Sequence, residues 1–295
     1  MTMPRLSRQR LLILAGVMPM LGALATAVQQ DPQSPVAAGV DLGGVHLDPA
    51  AGLVSFPVVV EVRDDLLEYL VVAPHGAVHE SMFVAGVDAE VLNASILALG
   101  LEPGKNAKWV ARDPAPTREE LRAGASAYDV QTPTGDSLFL YLGWREGDEV
   151  YWYRVEDMLR DLDRLRTMRR HRWVFLGSRM IKRPSAPDRE VFAASVEGNL
   201  INMPFFASGT TLLTSAIPEA EKQNIWLPNA WLLPPRGSQL LMVACKDRQA
   251  TPPTSVLAKL PKVVAGQTVS VEGNARPNAG HVPQKTQASG GEDGR

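Results

Sequence analysis

One cysteine, Cys245, is all that 295 residues contain. A lone thiol forms no intrachain disulfide, and iron–sulfur clusters take several thiolates, so both are excluded. Cys245 ends the apolar run Leu240-Leu241-Met242-Val243-Ala244, where a thiol serves as a small hydrophobe. The chain also lacks the usual catalytic signatures. There is no Gly-x-Ser-x-Gly elbow, so the common hydrolase nucleophile is missing. His79-Glu80 is followed by Phe83 where a zinc-protease helix needs its second histidine. Gly100-Leu101-Glu102-Pro103-Gly104-Lys105 has three residues between its glycines and Asn106 after the lysine, so it is a helix stop and no phosphate loop. Basic excess is absent too. Without the first 27 residues, 27 Lys and Arg face 32 Asp and Glu, a net charge of −5. That balance excludes nucleic acid as a general partner.

What is present begins with an export signal. Arg5, Arg8 and Arg10 precede the apolar stretch Leu11–Leu24, and Ala25-Thr26-Ala27 supplies the small residues, Ala25 and Ala27, that signal peptidase reads. Fourteen apolar residues fall short of the ~20 that a spanning helix needs, so no permanent membrane anchor is expected. Residues 1–27 are therefore read as a cleaved signal peptide and 28–40 as a proline-bearing linker. Residues 41–249 are the folded unit, and 250–295 a low-complexity, largely disordered tail. The destination is the periplasm or cell envelope, with secretion as the alternative.

Strand patterns dominate the folded unit. Leu53–Val62, Leu66–Ala73 and Val78–Val84 are β-branched runs, with Pro74-His75-Gly76 as the turn of a hairpin. Asp88 caps a helix that carries Val91, Leu92, Ile96, Leu97 and Leu99 and stops at Gly100. Leu138–Trp144 and Val150–Tyr153 flank a second hairpin. Val155, Met158, Leu159, Leu162 and Leu165 then recur at helical spacing. Later strands fall at 173–176, 190–194, 199–203 and 239–245. The expected fold is α+β: mainly antiparallel sheet with two or three helices, in a single domain.

These segments resemble a known family. Gly44-Val45-His46-Leu47-Asp48, Val54-Ser55-Phe56-Pro57, Leu67-Glu68-Tyr69-Leu70, Gly76 and His79-Glu80-Ser81-Met82 are similar to the opening of a YdjY-type domain. Arg154-Val155-Glu156-Asp157, the Trp173–Arg179 strand and turn, Phe192-Ala193, Glu197-Gly198 and Trp226-Leu227-Pro228-Asn229 follow in the family's order. The resemblance covers about residues 44–246 and implies a bacterial exported protein with no established reaction. Gln223 stands where the family has an acid three positions before the tryptophan.

Candidate chemistry is thin. His79 and Glu80, with Glu68 or Arg179, could serve acid–base work if they faced one cleft. On a strand, however, neighbours His79 and Glu80 point to opposite faces, which also weighs against a metal shared with His75. No metal and no cofactor is expected. Arg160, Arg164, Arg166, Arg169, Arg170, His171 and Arg172 form a basic run, read as a solvated helix face paired with Glu156, Asp161 and Asp163. Trp173, Trp226 and Trp231 read as core, yet Trp226 and Asn229 are also candidate ligand contacts, since Asn229 could present its amide at a groove. Two functions stay open. One is a non-catalytic binding or assembly module for an envelope protein, glycan or small ligand. The other is an enzyme or redox accessory using the His/Glu pair.

Overall fold

A computed structural model describes residues 39–183 and 186–269. The signal segment with Ala25 and Ala27, most of the 28–40 linker and the last part of the tail lie outside the described residues.

Eight strands close on themselves. In chain order they are β1 (Leu53–Val60), β2 (Tyr69–Val72), β3 (Ser81–Val84), β4 (Ser137–Glu146), β5 (Trp173–Phe175), β6 (Asn199–Asn202), β7 (Leu213–Thr214) and β8 (Gln239–Cys245). Around the barrel they run β1-β8-β4-β5-β7-β6-β2-β3, and β3 pairs with β1 again at Val59↔Val84 and Val60↔Phe83. A hairpin of Val40–Leu42 and Val45–Asp48 extends the sheet alongside β1. Glu149–Arg154 extends it alongside β4. Closure leaves no edge among these eight strands, which removes a template for unwanted pairing.

The long strands are buried on both sides, and their alternation shows it. Val54, Phe56, Val58 and Val60 join Leu240, Met242, Ala244, Leu138, Leu140 and Leu142 in the main core. The intervening Leu53, Leu241, Val243, Cys245 and Tyr141 form a second cluster on the opposite face. Val256, within the helix Thr254–Leu257, and Leu260, just after it, cover that second cluster. Two-sided burial explains why β1 and β8 read as continuous apolar runs. Each fully buried aliphatic side chain contributes roughly 1.5–3 kcal/mol. The packed chain therefore continues past residue 249, where composition alone had placed the end of the folded unit.

The protein is mostly β with few helices, and the structure corrects the plain antiparallel sheet. Two of the barrel pairings are parallel, β2 with β3 and β6 with β7. The hairpin expected around Pro74-His75-Gly76 is thus not formed. Residues 73–80 reverse the chain twice and return it in the same direction, through bonds from Gly76 N to Ala73 O and Val78 N to Gly76 O. The segment ends in a 3₁₀ turn, Val78–Glu80.

The helix expected over 155–165 is also absent. Val155–Met158 makes one 3₁₀ turn, and Leu159–Asp161 then pairs with Trp226–Pro228 and with Arg166–Thr167. Val155, Met158 and Leu159 are fully buried, so one short turn satisfies the apolar spacing. Leu165 is 82% exposed and occupies the turn at φ +49°. Elsewhere the local signals hold. Asp88 accepts from the backbone N–H groups of Glu90 and Val91 and starts the helix Ala89–Ala98. β4 and Glu149–Arg154 form the expected hairpin across Gly147, whose φ is +57°. Among the described residues no helix is long and apolar enough to cross a membrane.

Candidate functional site

Three residues singled out in the sequence come together at the turn before β3. The backbone N–H of Glu68 donates to Glu80 O at 3.0 Å, and Glu68 O accepts from Met203 at 3.2 Å. His79 and Glu80 sit on the 3₁₀ turn and not on a strand, so their side chains converge, with Nε2 4.0 Å from Oε2. Burial of the half-covered Glu68 carboxyl, reinforced by the charge of Glu80, pushes its pKa up. The imidazole of His79 is 76% exposed.

A groove of about 430 Å³ adjoins this turn. Pro74 and Val78 form one wall, Val59 and Val84 line it from the barrel, and Arg236-Gly237 face them. Arg236 is ion-paired with Glu61. Residues 229–236 lead into the far wall, and Arg63 fastens that loop by donating to Ala230 O at 2.8 Å and Leu233 O at 3.0 Å. Leu232 N–H also donates to Asn229 O at 3.0 Å. The same loop displays Trp231 with 93% of its surface exposed, which overturns its expected place in the core.

Trp226 and Asn229 are structural. Trp226 is fully buried, and its indole N–H donates to Lys222 O at 3.0 Å. Asn229 donates from its backbone to Met158 O at 2.6 Å and from Nδ2 to Asp157 O at 3.3 Å. Arg179 is exposed elsewhere, and its carbonyl accepts from Ala193.

Sequence reasoning missed a buried polar cluster. Glu156 Oε1 accepts from Arg154 at 2.5 Å, from the Trp173 indole at 3.1 Å and from His171 N at 3.3 Å. His171 leans at a tilt against Trp173, with Nε2 3.0 Å from Ser215 Oγ and Nδ1 3.1 Å from Arg169 O. Burial lowers the imidazole pKa to about 4 and raises that of Glu156 against the pull of Arg154. Serine, histidine and acid follow one another here, but Ser215 and Glu156 have no exposed surface and do not line the groove. The basic run is largely neutralised: Arg164 pairs with Asp161, Arg166 and Arg169 with Glu219, and Arg170 with Asp157.

Among the described residues no group of three His, Cys, Asp or Glu could hold a metal ion. No family model, no curated protein and no solved structure matches this chain.

Proposed function

We propose that the chain is an exported envelope domain that works by binding or assembly, docking a partner protein or glycan against the groove and the loop that carries Trp231. The single observation behind this reading is the indole itself. An indole buries a large apolar surface when it docks, and interface hot spots are rich in this residue. Arg63 holds the loop in place, so little further conformational entropy is lost on docking. The signal-like first 27 residues and the YdjY-type resemblance support the exported setting. The acid–base alternative has less support, because His79 stands open to solvent and is not enclosed in a cleft.

The test uses the mature chain and envelopes isolated from the source cells. Wild type should co-sediment with them. Trp231→Ala and Val78→Asp should each reduce binding about tenfold, the loss expected of a hot-spot residue, while melting at the wild-type temperature. Equal sedimentation of all three proteins would refute the docking face. Fractionation that leaves the chain in the cytoplasm would refute export.

A further inference from the structure

A second cavity, of about 230 Å³, adjoins the groove along β1 and β8: Pro57 and Gln239 line it, and Gln239 is the register partner of Val59 in the groove. The 40–48 hairpin forms one side and Lys259 and Pro261 the other, with Ser55 of β1 and Leu241 of β8 also lining it. Asp41, His46 and Ser55 are register partners on three neighbouring strands, so their side chains share this face. The face is apolar at Leu53, at Cys245 and at Val243 opposite Ser55, and is polar toward the 40–48 hairpin.

Two features make it a site. First, Ser55 is 1% exposed and its Oγ has no hydrogen-bond partner among the described residues. A buried hydroxyl left unpaired costs stability that an alanine would not, so the hydroxyl calls for a partner from outside. Second, the rim carries a pair of opposite charges. Lys259 Nζ donates to both Asp41 oxygens, at 3.0 and 3.2 Å, and His46 Nδ1 lies 2.8 Å from Asp41 Oδ1. A carboxylate only accepts, so this imidazole nitrogen carries the hydrogen. These bonds hold the Asp41 carboxyl below its usual pKa, Lys259 first and then His46. The unpaired Nε2 of His46 is closed off by Gly39, where a Cβ would come within 2.6 Å of it. Ser55 is therefore the buried group left to meet a ligand.

We propose that this cavity binds a small uncharged molecule carrying two adjacent hydroxyls, the vicinal diol of a short polyol. Carboxylate and ammonium cancel at the rim, which disfavours a charged ligand. Ser55 both donates and accepts, the ammonium has a third N–H, and Asp41 has further acceptor sites. Neighbouring hydroxyls match that alternation of donors and acceptors. The cavity is below the ~300 Å³ at which drug-sized pockets begin, which limits the ligand to a few heavy atoms.

Glycerol titrated into the full chain, followed by amide shifts at Ser55, Gln239 and Lys259, tests the site. Saturable shifts are expected, with a midpoint on the order of millimolar, as for other ligands of this size. Propane-1,3-diol, which lacks the adjacent pair, should bind about tenfold more weakly, the equivalent of one lost hydrogen bond. Ser55→Ala should abolish saturation and melt no lower than wild type. Asp41→Asn, an exposed change, should weaken glycerol while leaving the fold intact. Linear shifts with glycerol, or equal response to both diols, overturn the proposal. So does a Ser55→Ala protein that still saturates, or one that melts lower because its hydroxyl had held a structural water.

Discussion

The carboxylate of Glu156 accepts the indole hydrogen of Trp173 at 3.1 Å, and neither side chain is exposed to solvent. Around that contact Arg154 donates to the same carboxylate, and its guanidinium lies 5.0 Å from the ring centre of Phe139 and 5.5 Å from that of Tyr141. One acid thus ties β5, the Glu149–Arg154 strand and the 3₁₀ turn after it. Removing the acid would strand a buried cation. Glu156→Ala should cost about 3–5 kcal/mol in urea unfolding. Glu156→Gln keeps an acceptor for the indole and should cost less. A loss under about 1 kcal/mol for Glu156→Ala would show that the cluster contributes little to the fold.

His171 gives the fold an acid limit. Its folded pKa is about 4 against an ordinary 6.5, because burial disfavours the imidazolium. A depressed folded pKa means that the stabilisation is full above the unfolded value and is lost as pH falls toward the folded one. Between pH 7 and pH 5 the protein should lose about 2 kcal/mol from this group. Glu156, with its pKa raised by burial, works in the opposite sense and becomes less costly as it protonates. Melting curves of wild type and His171→Gln across that range check the point. The variant should be less stable at pH 7 but should lack most of the loss between pH 7 and pH 5. Parallel pH profiles for the two proteins would rule out His171 as the cause.

Much of the local structure was legible because its signals are local. Asp88 caps its helix through atoms two and three residues away, and Gly147 turns a hairpin whose strands adjoin it in sequence. The failures involve distant partners. Val155, Met158 and Leu159 share helical spacing, yet Leu159–Asp161 is recruited by Trp226–Pro228, over sixty residues later. β2 and β3 lie parallel because β6 and β1 flank them, which nothing in Pro74-His75-Gly76 announces. The site divides in the same way. Glu68, His79 and Glu80 are polar residues on one short stretch, and they do meet. Trp226 and Trp231 look alike in sequence. What separates them is Lys222 accepting from one indole, and Arg63 fastening the loop that displays the other.

Glu68 carries a cost at neutral pH. Its carboxyl is pushed up first by burial and then by Glu80, with His79 pulling the other way. An acid raised above its unfolded pKa favours the fold while protonated and loses that advantage as pH rises through the folded value. Glu68→Gln should therefore melt higher than wild type at pH 7, and the gain should vanish well below pH 4.5. Glu80→Gln should raise the wild-type melting point for a related reason, by removing the like charge. If Glu68→Gln melts lower at pH 7, the carboxylate stabilises the fold and its burial carries no net cost.

Gly198 meets Gly76 backbone to backbone. Gly198 follows the short helix Ala193–Glu197 at φ +75°, and its carbonyl accepts from Ala73 N–H at 2.7 Å. A Cβ on Gly198 would come within 2.8 Å of Gly76 Cα and N. Neither atom can move without disturbing the 73–80 connection that makes β2 and β3 parallel. Gly198→Ala should combine left-handed strain with overpacking and cost about 1–3 kcal/mol. Gly76→Ala is milder, since its Cβ would lie 3.0 Å from Gly198 O and from Val72 Cβ. Both changes wedge open the same contact, so the double variant should cost less than the two losses added. The turn bearing His79 should loosen in either variant, seen as faster amide exchange at 78–80 than in β8. A Gly198→Ala protein within about 0.5 kcal/mol of wild type would mean that the connection tolerates displacement. The parallel pairing would then have to be held by the strands alone.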